Sequence, residues 1–142
     1  VREILNKVKT GGDTALLELS EKYDGIRPKK LRVGREKIAS AAAVVPQSLK
    51  EAVNTAAENI RNFHSQIIKE SAVVETIAGV RCWSRQVPIE NAGLYVPGGT
   101  VPLFSTLLML AIPTSVAGCS KIIVCTPPYA DDMIDPLLLY CA

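Results

Sequence analysis

Apolar residues recur at helical spacing through the first half of the chain, where glycine and proline interrupt them. Val1, Ile4, Leu5 and Val8 share one face, which predicts a helix from Val1 to Lys9 that Gly11-Gly12 ends. Similar patterns predict three further helices: Thr14 to Tyr23, Glu36 to Val44 and Pro46 to about Lys69. Apolar residues of the last helix alternate spacings of four and three, so we expect it to lie along another element for most of its length.

After Ser71 the pattern changes to β-rich segments. Val73 to Ile77 and Val80 to Val87 flank Ala78-Gly79, and this arrangement predicts a β-hairpin. Pro88 ends the second predicted strand.

The segment from Ala92 to Pro128 has the pattern of strand, glycine turn, helix and second strand. The predicted elements are a strand at Ala92 to Val96, a helix at Leu103 to Leu110 and a strand at Lys121 to Thr126. Pro113 is expected to end the helix and to begin a short continuation that Gly118 caps. The uninterrupted apolar run of the second strand is typical of a strand buried on both faces of a parallel sheet. Two such strands joined by a helix predict a right-handed βαβ unit.

The predicted fold class is therefore α/β. Residues 1–91 form N-terminal helices and a short β-hairpin, and residues 92–142 form the start of a Rossmann-like parallel βαβ domain. Asp135-Pro136 begins one more helix, which runs to Ala142. A parallel sheet of two strands is not a stable unit, so we expect the α/β part to be incomplete at the C-terminus. The chain does not begin with Met, and we expect it to be a piece of a longer protein.

Composition and charge narrow the classes of function. The chain has 142 residues, of which 48% are hydrophobic and 21% are charged, as in soluble globular proteins. A net charge of +2 is too small and too scattered to indicate a nucleic-acid or membrane-surface partner. No apolar run reaches the length of a membrane span, and no signal-peptide pattern is found.

The cysteines and the single histidine do not form a recognisable catalytic or metal pattern. Four cysteines occur, none in a C-x-x-C pair: Cys82, Cys119, Cys125 and Cys141. We interpret them as reduced, mostly buried thiols of a cytoplasmic protein. A catalytic thiol is the alternative, and its base would have to be His64. His64 lies beside the apolar stripe of the longest helix, which favours a packing role, and a zinc site is not supported.

A candidate ligand site follows the first strand of the βαβ unit, at Tyr95-Val96-Pro97-Gly98-Gly99-Thr100. In open α/β sheets, ligands bind outside the carboxyl ends of the strands. Glycines there let the backbone adopt positive φ and approach a ligand closely. The patterns G-x-G-x-x-G and P-loop are absent, so a nucleotide site and a simple tight turn both remain open. The basic loop from Ile26 to Gly34 is likewise either a solvated connection or the border of an anionic ligand.

Long stretches of the chain resemble the histidinol dehydrogenase family. The most specific is GLYVPGGTVPLFSTLLMLAIPTSVAGC followed by a strand and TPP; VREILNKVKTGGDTALLELSEKYDG resembles the family's N-terminal helices and ENIRNFHSQ its long helix. The resemblance implies an enzyme that oxidises histidinol through histidinal to histidine, the last steps of histidine biosynthesis. It implies two NAD molecules used in turn, a zinc ion that holds the substrate, a Glu-His pair that handles the protons, and a homodimer.

The same resemblance assigns cofactor residues to this chain but no catalytic or metal residues. Tyr95 matches the family's tyrosine that contacts NAD, and Pro97, Gly98 and Gly99 are its immediate neighbours. Ser105 and Thr106 either extend the site or only begin a helix. The family's zinc ligands and its Glu-His pair lie in the part of the family pattern beyond Ala142, so we expect this chain alone to be inactive. A non-catalytic nucleotide-binding module and a subunit-assembly module are the alternatives.

Overall fold

A computed structural model describes residues 1–67, 72–98, 101–128 and 133–142. In chain order the elements are α1 (Arg2–Asp24), α2 (Arg35–Val44), α3 (Gln47–Ser65), β1 (Val74–Ile77), β2 (Val80–Cys82), β3 (Asn91–Tyr95), α4 (Phe104–Val116), β4 (Lys121–Cys125) and α5 (Pro136–Cys141). Strands β1 and β2 form an antiparallel hairpin, and β3 and β4 form a parallel pair with α4 between them in sequence. These elements confirm the predicted mixed α/β class.

Helix α4 carries most of the core because it is apolar on more than one side. Leu107 is fully buried and packs with Val96 and Leu138, between the parallel strands and α5. The adjacent Leu108 packs with Val53 and Ile112, which joins α4 to α3. Helices α2 and α3, from the first half of the chain, thus pack against α5 and α4 from the second half. The boundary at residues 91 and 92 stays a prediction.

Helix α1 contains the break that the two adjacent glycines predict. Gly12 has φ 53° and ψ −137°, a conformation that side-chain-bearing residues rarely adopt, so two helical segments meet there at a kink. Lys7 Nζ lies 2.7 Å from Glu18 Oε2, which links the two segments across the kink. The hydrogen bond from Lys7 is the largest cause that lowers the pKa of the Glu18 carboxyl.

Helix α3 is shorter than predicted at both ends. Pro46 precedes the first helical residue, and the helix ends at Ser65, whereas the predicted end at about Lys69 lies outside the described residues. The predicted stripe contacts α4 through Val53, Ala56 and Ile60. Phe63 and Ile67, at the end of the stripe, remain exposed. The helix therefore lies along another element over its middle and not over its last turn.

The hairpin is confirmed, but its second strand ends at Cys82 and not at Val87. Val74 opens β1 and lies opposite Cys82, and among the described residues no strand pairs with the segment after Cys82. Gly79 takes a positive φ in the turn, and its N–H donates to Glu75 Oε1 over 2.8 Å. Every residue of both strands is exposed.

The parallel pair is confirmed, although it is buried on one face only. Leu94 and Val96 of the β3 segment are buried, and Val124 of β4 is half-buried on the same side. Tyr95, Ile123 and Cys125 alternate to the other side and are exposed. The prediction that the second strand is buried on both faces is wrong for the described residues, because α4 covers a single face.

Helix α4 also differs from its prediction, because Pro113 lies inside it and does not end it. Proline removes the hydrogen bond of its own nitrogen and crowds the carbonyl four residues before it, yet the helix continues, and the Pro113 carbonyl accepts from Ala117 N–H over 2.8 Å. The helix ends in the predicted glycine cap: Gly118 has φ 89°, and the N–H groups of Gly118 and Cys119 donate to the carbonyls of Ser115 and Thr114.

Helix α5 begins as predicted, at Asp135-Pro136. The Asp135 carboxylate accepts a hydrogen bond of 2.8 Å from Leu137 N–H, which caps the helix. Leu138 and Leu139 are buried against the rest of the core. Among the described residues, none of the helices combines the length and apolar character that crossing a bilayer requires.

Candidate functional site

Strand β3 places Tyr95 at the carboxyl end of the parallel pair, with its side chain on the open face. Its neighbours Leu94 and Val96 point into the core, and the N–H of Val96 donates to the Cys125 carbonyl over 2.9 Å. Alternation along the strand therefore directs Tyr95 outward, where 63% of its surface is accessible. Cys125 is its partner in register on β4. The structure thus places Tyr95 where ligands bind in open α/β sheets.

Gly98 lies where the loop after β3 touches the loop after β4. A Cβ atom on Gly98 would lie 2.6 Å from Cγ of Pro127, too close for an ordinary contact. Gly98 does not have positive φ, so the prediction that both glycines turn the backbone through that region is wrong for this residue. Glycine is required there because the two loops approach each other closely. Gly99 and Thr100 lie outside the described residues.

A cleft of about 700 Å³ opens beside Tyr95, and we call it the Tyr95 cleft. One wall comes from the carboxyl ends of β3 and β4, with Tyr95, Cys125, Thr126 and Pro127. The facing wall comes from apolar side chains of α1: Ile4, Val8, Leu16, Leu19 and Tyr23. Its volume lies in the range of cofactor and small-molecule sites.

The basic loop, residues 26–34, and the first turn of α2 complete the Tyr95 cleft. They contribute the cationic side chains of Lys29, Lys30, Arg32 and Lys37. Among the described residues that line the cleft, Asp24 is the one carboxylate. The loop therefore borders the same cleft as Tyr95, and whether it contacts an anionic ligand stays a prediction.

The other predicted site residues lie outside this lining. Pro97, Gly98, Ser105 and Thr106 are not among the described residues that line the Tyr95 cleft. Ser105 is exposed and Thr106 is half-buried in the first turn of α4. Gly98 contributes to the position of the loop that follows Tyr95, and the contact of Pro97 and Gly98 with NAD stays a prediction.

The cysteines are unpaired, as predicted, but they are not mostly buried. Cys82 and Cys125 are exposed, and Cys119 and Cys141 are half-buried. The interpretation as mostly buried thiols is wrong because β2 and β4 each leave a face open to solvent. Burial raises the pKa of the Cys141 thiol to about 11.

His64 is half-buried and lies edge-on to the ring of Phe63, with 5.2 Å between the ring centroids. This contact agrees with a packing role. Within the described parts of the chain, no group of three or more His, Cys, Asp or Glu side chains is arranged to hold a metal ion.

Several residues of the cleft are missing from the sequence-based prediction. The place of Cys125 and Thr126 in the cleft could be predicted, because the sequence predicts the second strand and the carboxyl ends of parallel strands meet at one edge of the sheet. The sequence does not predict that α1 side chains line the cleft, because their position there depends on how the N-terminal helix packs.

The whole chain matches a known protein family. The family model of histidinol dehydrogenase matches residues 1–142. The histidinol dehydrogenase of Bacteroides thetaiotaomicron is 46% identical over 142 residues, which are 100% of this chain and 33% of that protein. The histidinol dehydrogenase of Salmonella typhimurium is 48% identical over 134 residues, which are 94% of this chain and 31% of that protein.

A solved structure shows the same arrangement. The crystal structure of histidinol dehydrogenase from Elizabethkingia anophelis matches with a TM-score of 0.93 and 41% sequence identity. The match covers 99% of this chain and 32% of that chain. This chain therefore spans about a third of the length of the relatives that it matches.

Proposed function

The chain belongs to the histidinol dehydrogenase family, and from this premise we propose that the full-length protein oxidises L-histidinol through L-histidinal to L-histidine with NAD. The observation that carries the proposal is the match of the family model to residues 1–142. Because the chain spans about a third of its curated relatives, the activity is proposed for the full-length protein. The chain by itself is proposed to be inactive.

The chemistry consists of two oxidations on one carbon. In the first, the alcohol carbon loses a hydride and its hydroxyl loses a proton, which gives the aldehyde. Water then adds to the aldehyde, and the hydrate loses a second hydride and a proton to give the carboxylic acid. When NAD is bound, it accepts one hydride at its nicotinamide ring in each oxidation, so two NAD molecules are consumed per histidine.

The size of the Tyr95 cleft and the cationic side chains that line it support a dinucleotide as its ligand. Its volume is about 700 Å³, and its lining combines the exposed Tyr95 ring with cationic side chains. Aromatic faces stack on flat heterocyclic rings, and cations attract phosphate groups. The role proposed for Tyr95 is to hold one ring of the cofactor, while the Gly98 loop supports the backbone next to it. Nothing in this role requires Tyr95 to exchange a proton.

Zinc belongs to the proposal through the family resemblance alone. No described residues of this chain form a cluster that could hold the ion. The ligands are therefore proposed to lie in the rest of the full-length protein, and we assign no step of the reaction to zinc here.

The proposal also includes a homodimer and a cytoplasmic location. The hairpin supports subunit contact, because apolar side chains on both of its strands are exposed, among them Val74 at 56% and Ile77 at 69%. Apolar surface of this kind is typical of interfaces. All four cysteines are unpaired, which agrees with a reducing compartment.

Turnover by the full-length protein tests the proposal. With histidinol and NAD, we expect two NADH per histidine formed, and no NADH from a primary amino alcohol that lacks the imidazole ring. Treatment with a chelator should abolish turnover, and added zinc should restore it. NAD binding without any turnover of histidinol would contradict the proposal and favour a non-catalytic nucleotide-binding module.

A further inference from the structure

The family resemblance assigns no role to the cationic side chains that line the Tyr95 cleft. Four cationic side chains and one carboxylate line the cleft among the described residues. The carboxylate, Asp24, accepts a hydrogen bond from Ser20 Oγ over 3.3 Å. Among the described residues that line it, the cleft therefore has more cationic than anionic side chains, although the chain as a whole carries only +2. A positively charged concave surface attracts anionic ligands.

Arg32 and Lys37, two of the cations that line the cleft, keep their charge available. Arg27, in the same loop, is held by Glu21 over 2.9 Å and is not among the cleft-lining residues. Within the described part of the chain, no carboxylate forms an ion pair with Arg32 or Lys37. Both side chains are exposed to solvent in the cleft.

The basic loop is fixed in place by apolar anchors and not only by its charges. Pro28 is buried, and Ile26 and Val33 are half-buried. The ion pair between Arg27 and Glu21 also links the loop to α1. A loop that is held in this way presents its charges without first having to be ordered, which lowers the cost of binding a ligand.

We propose that Arg32 and Lys37 bind the phosphate groups of the dinucleotide whose ring lies against Tyr95. The inference rests on the proposed function and names the part of the ligand that the N-terminal half of the chain holds. Tyr95 and the cationic side chains line one continuous cleft. A ligand that touches both must therefore join a flat ring to an anionic group. A dinucleotide has both parts. Substitution of Lys37 tests the Tyr95 cleft more selectively than substitution of Arg32, because Arg32 also lines a smaller neighbouring cavity that includes Asp13.

The test measures NAD binding by the full-length protein with calorimetry at low and high salt. Lys37→Gln and Arg32→Gln should each raise the Kd for NAD about tenfold at low salt, which corresponds to the loss of one charge-assisted hydrogen bond. Each variant should also show a weaker dependence of Kd on salt, because it lacks one of the cation–phosphate pairs that salt screens. Lys37→Arg keeps the charge and should retain most of the affinity.

Arg35→Gln is the matched control, because Arg35 lies in the same turn of α2 as Lys37 and does not line the cleft. It should leave both the Kd and its salt dependence unchanged. If Lys37→Gln and Arg32→Gln behave like Arg35→Gln while Tyr95→Ala weakens binding, the phosphate assignment is overturned and the proposed function stands. If the wild-type protein does not bind NAD, both are overturned.

Discussion

Gly98 shows how a single residue can position the site through a contact within the protein. The structure shows a glycine that approaches Pro127, with 2.6 Å from the position of its missing Cβ to Pro127 Cγ, and its contact with NAD stays a prediction. The contact joins the loops that follow β3 and β4. The close approach of these two loops thus depends on the absence of a side chain at residue 98.

Replacement of Gly98 by alanine is expected to separate these two loops. Overpacking of this kind costs about 1–3 kcal/mol, so Gly98→Ala should lower the Tm of the full-length protein and raise its Kd for NAD. Gly93→Ala is the matched control, because a Cβ at Gly93 would meet nothing within 4 Å. Equal effects of the two substitutions on Tm and Kd would show that the loop contact is not important.

The thiol of Cys141 should react more slowly than the exposed thiols of Cys82 and Cys125. Burial raises its pKa from 9.0 to about 11, so little thiolate is present at pH 8. Peptide mapping after timed treatment with iodoacetamide should find Cys82 and Cys125 modified first, and the rate at Cys141 should increase as the pH approaches 11. Modification of Cys141 as fast as Cys125 at pH 8 would contradict this burial.

The same raised pKa gives the direction of a pH effect on stability. Above pH 9, the unfolded chain loses the Cys141 proton while the folded chain retains it. The unfolded state then binds fewer protons, so the free energy of unfolding decreases as the pH rises from 9 to about 11. Below pH 9 the thiol is protonated in both states, so its titration does not change the free energy of unfolding.

At the scale of elements, α4 joins the two halves of the described core. Leu107 faces the parallel strands and α5, whereas Leu108 faces α3. Leu107→Ala should therefore lower the free energy of unfolding by about 2–5 kcal/mol, the range for a fully buried leucine. Met109→Ala is the control on the same helix, since Met109 is 54% exposed. Denaturant titration of both variants measures the difference, and a similar small loss in each would contradict the packing described for α4.

Local signals in the sequence predict most elements, and they fail where tertiary packing decides. The break at Gly12, the cap at Gly118 and the start of α5 at Asp135 were predicted because each depends on a few neighbouring residues. The sequence predicts a helix end at Pro113, but the apolar contacts of α4 on both sides of this residue maintain the helix. The second strand of the hairpin ended early because its partner strand begins only at Val74.

Only part of the candidate site could be predicted in the same way. The position of Tyr95 follows from strand alternation and from the strand's carboxyl end, which the sequence contains. The apolar wall that α1 contributes depends on how distant segments pack, and no local pattern encodes that packing. The role of Gly98 depends on Pro127, which lies 29 residues later in the chain.

At the scale of the whole molecule, the chain has one well-packed centre and several open apolar surfaces. The open face of the parallel pair includes Tyr95 and Ile123, and the hairpin exposes Val74 and Ile77. Parallel sheets are generally covered on both faces. The relatives are about three times as long as this chain. The rest of the full-length protein and the second subunit of the proposed homodimer are two sources of residues to cover these apolar surfaces. The Tyr95 cleft lies beside the open face, and α1 and the basic loop contribute to its lining.

The central claim is that Tyr95 holds NAD in a dehydrogenase of this family, and the Michaelis constant for NAD in the Tyr95→Ala variant tests it most directly. Loss of one stacked ring should raise this constant about tenfold, while Tyr95→Phe, which keeps the ring, should stay close to the wild-type value. The measurement uses the full-length protein with saturating histidinol. An unchanged Michaelis constant for NAD in Tyr95→Ala would contradict the account.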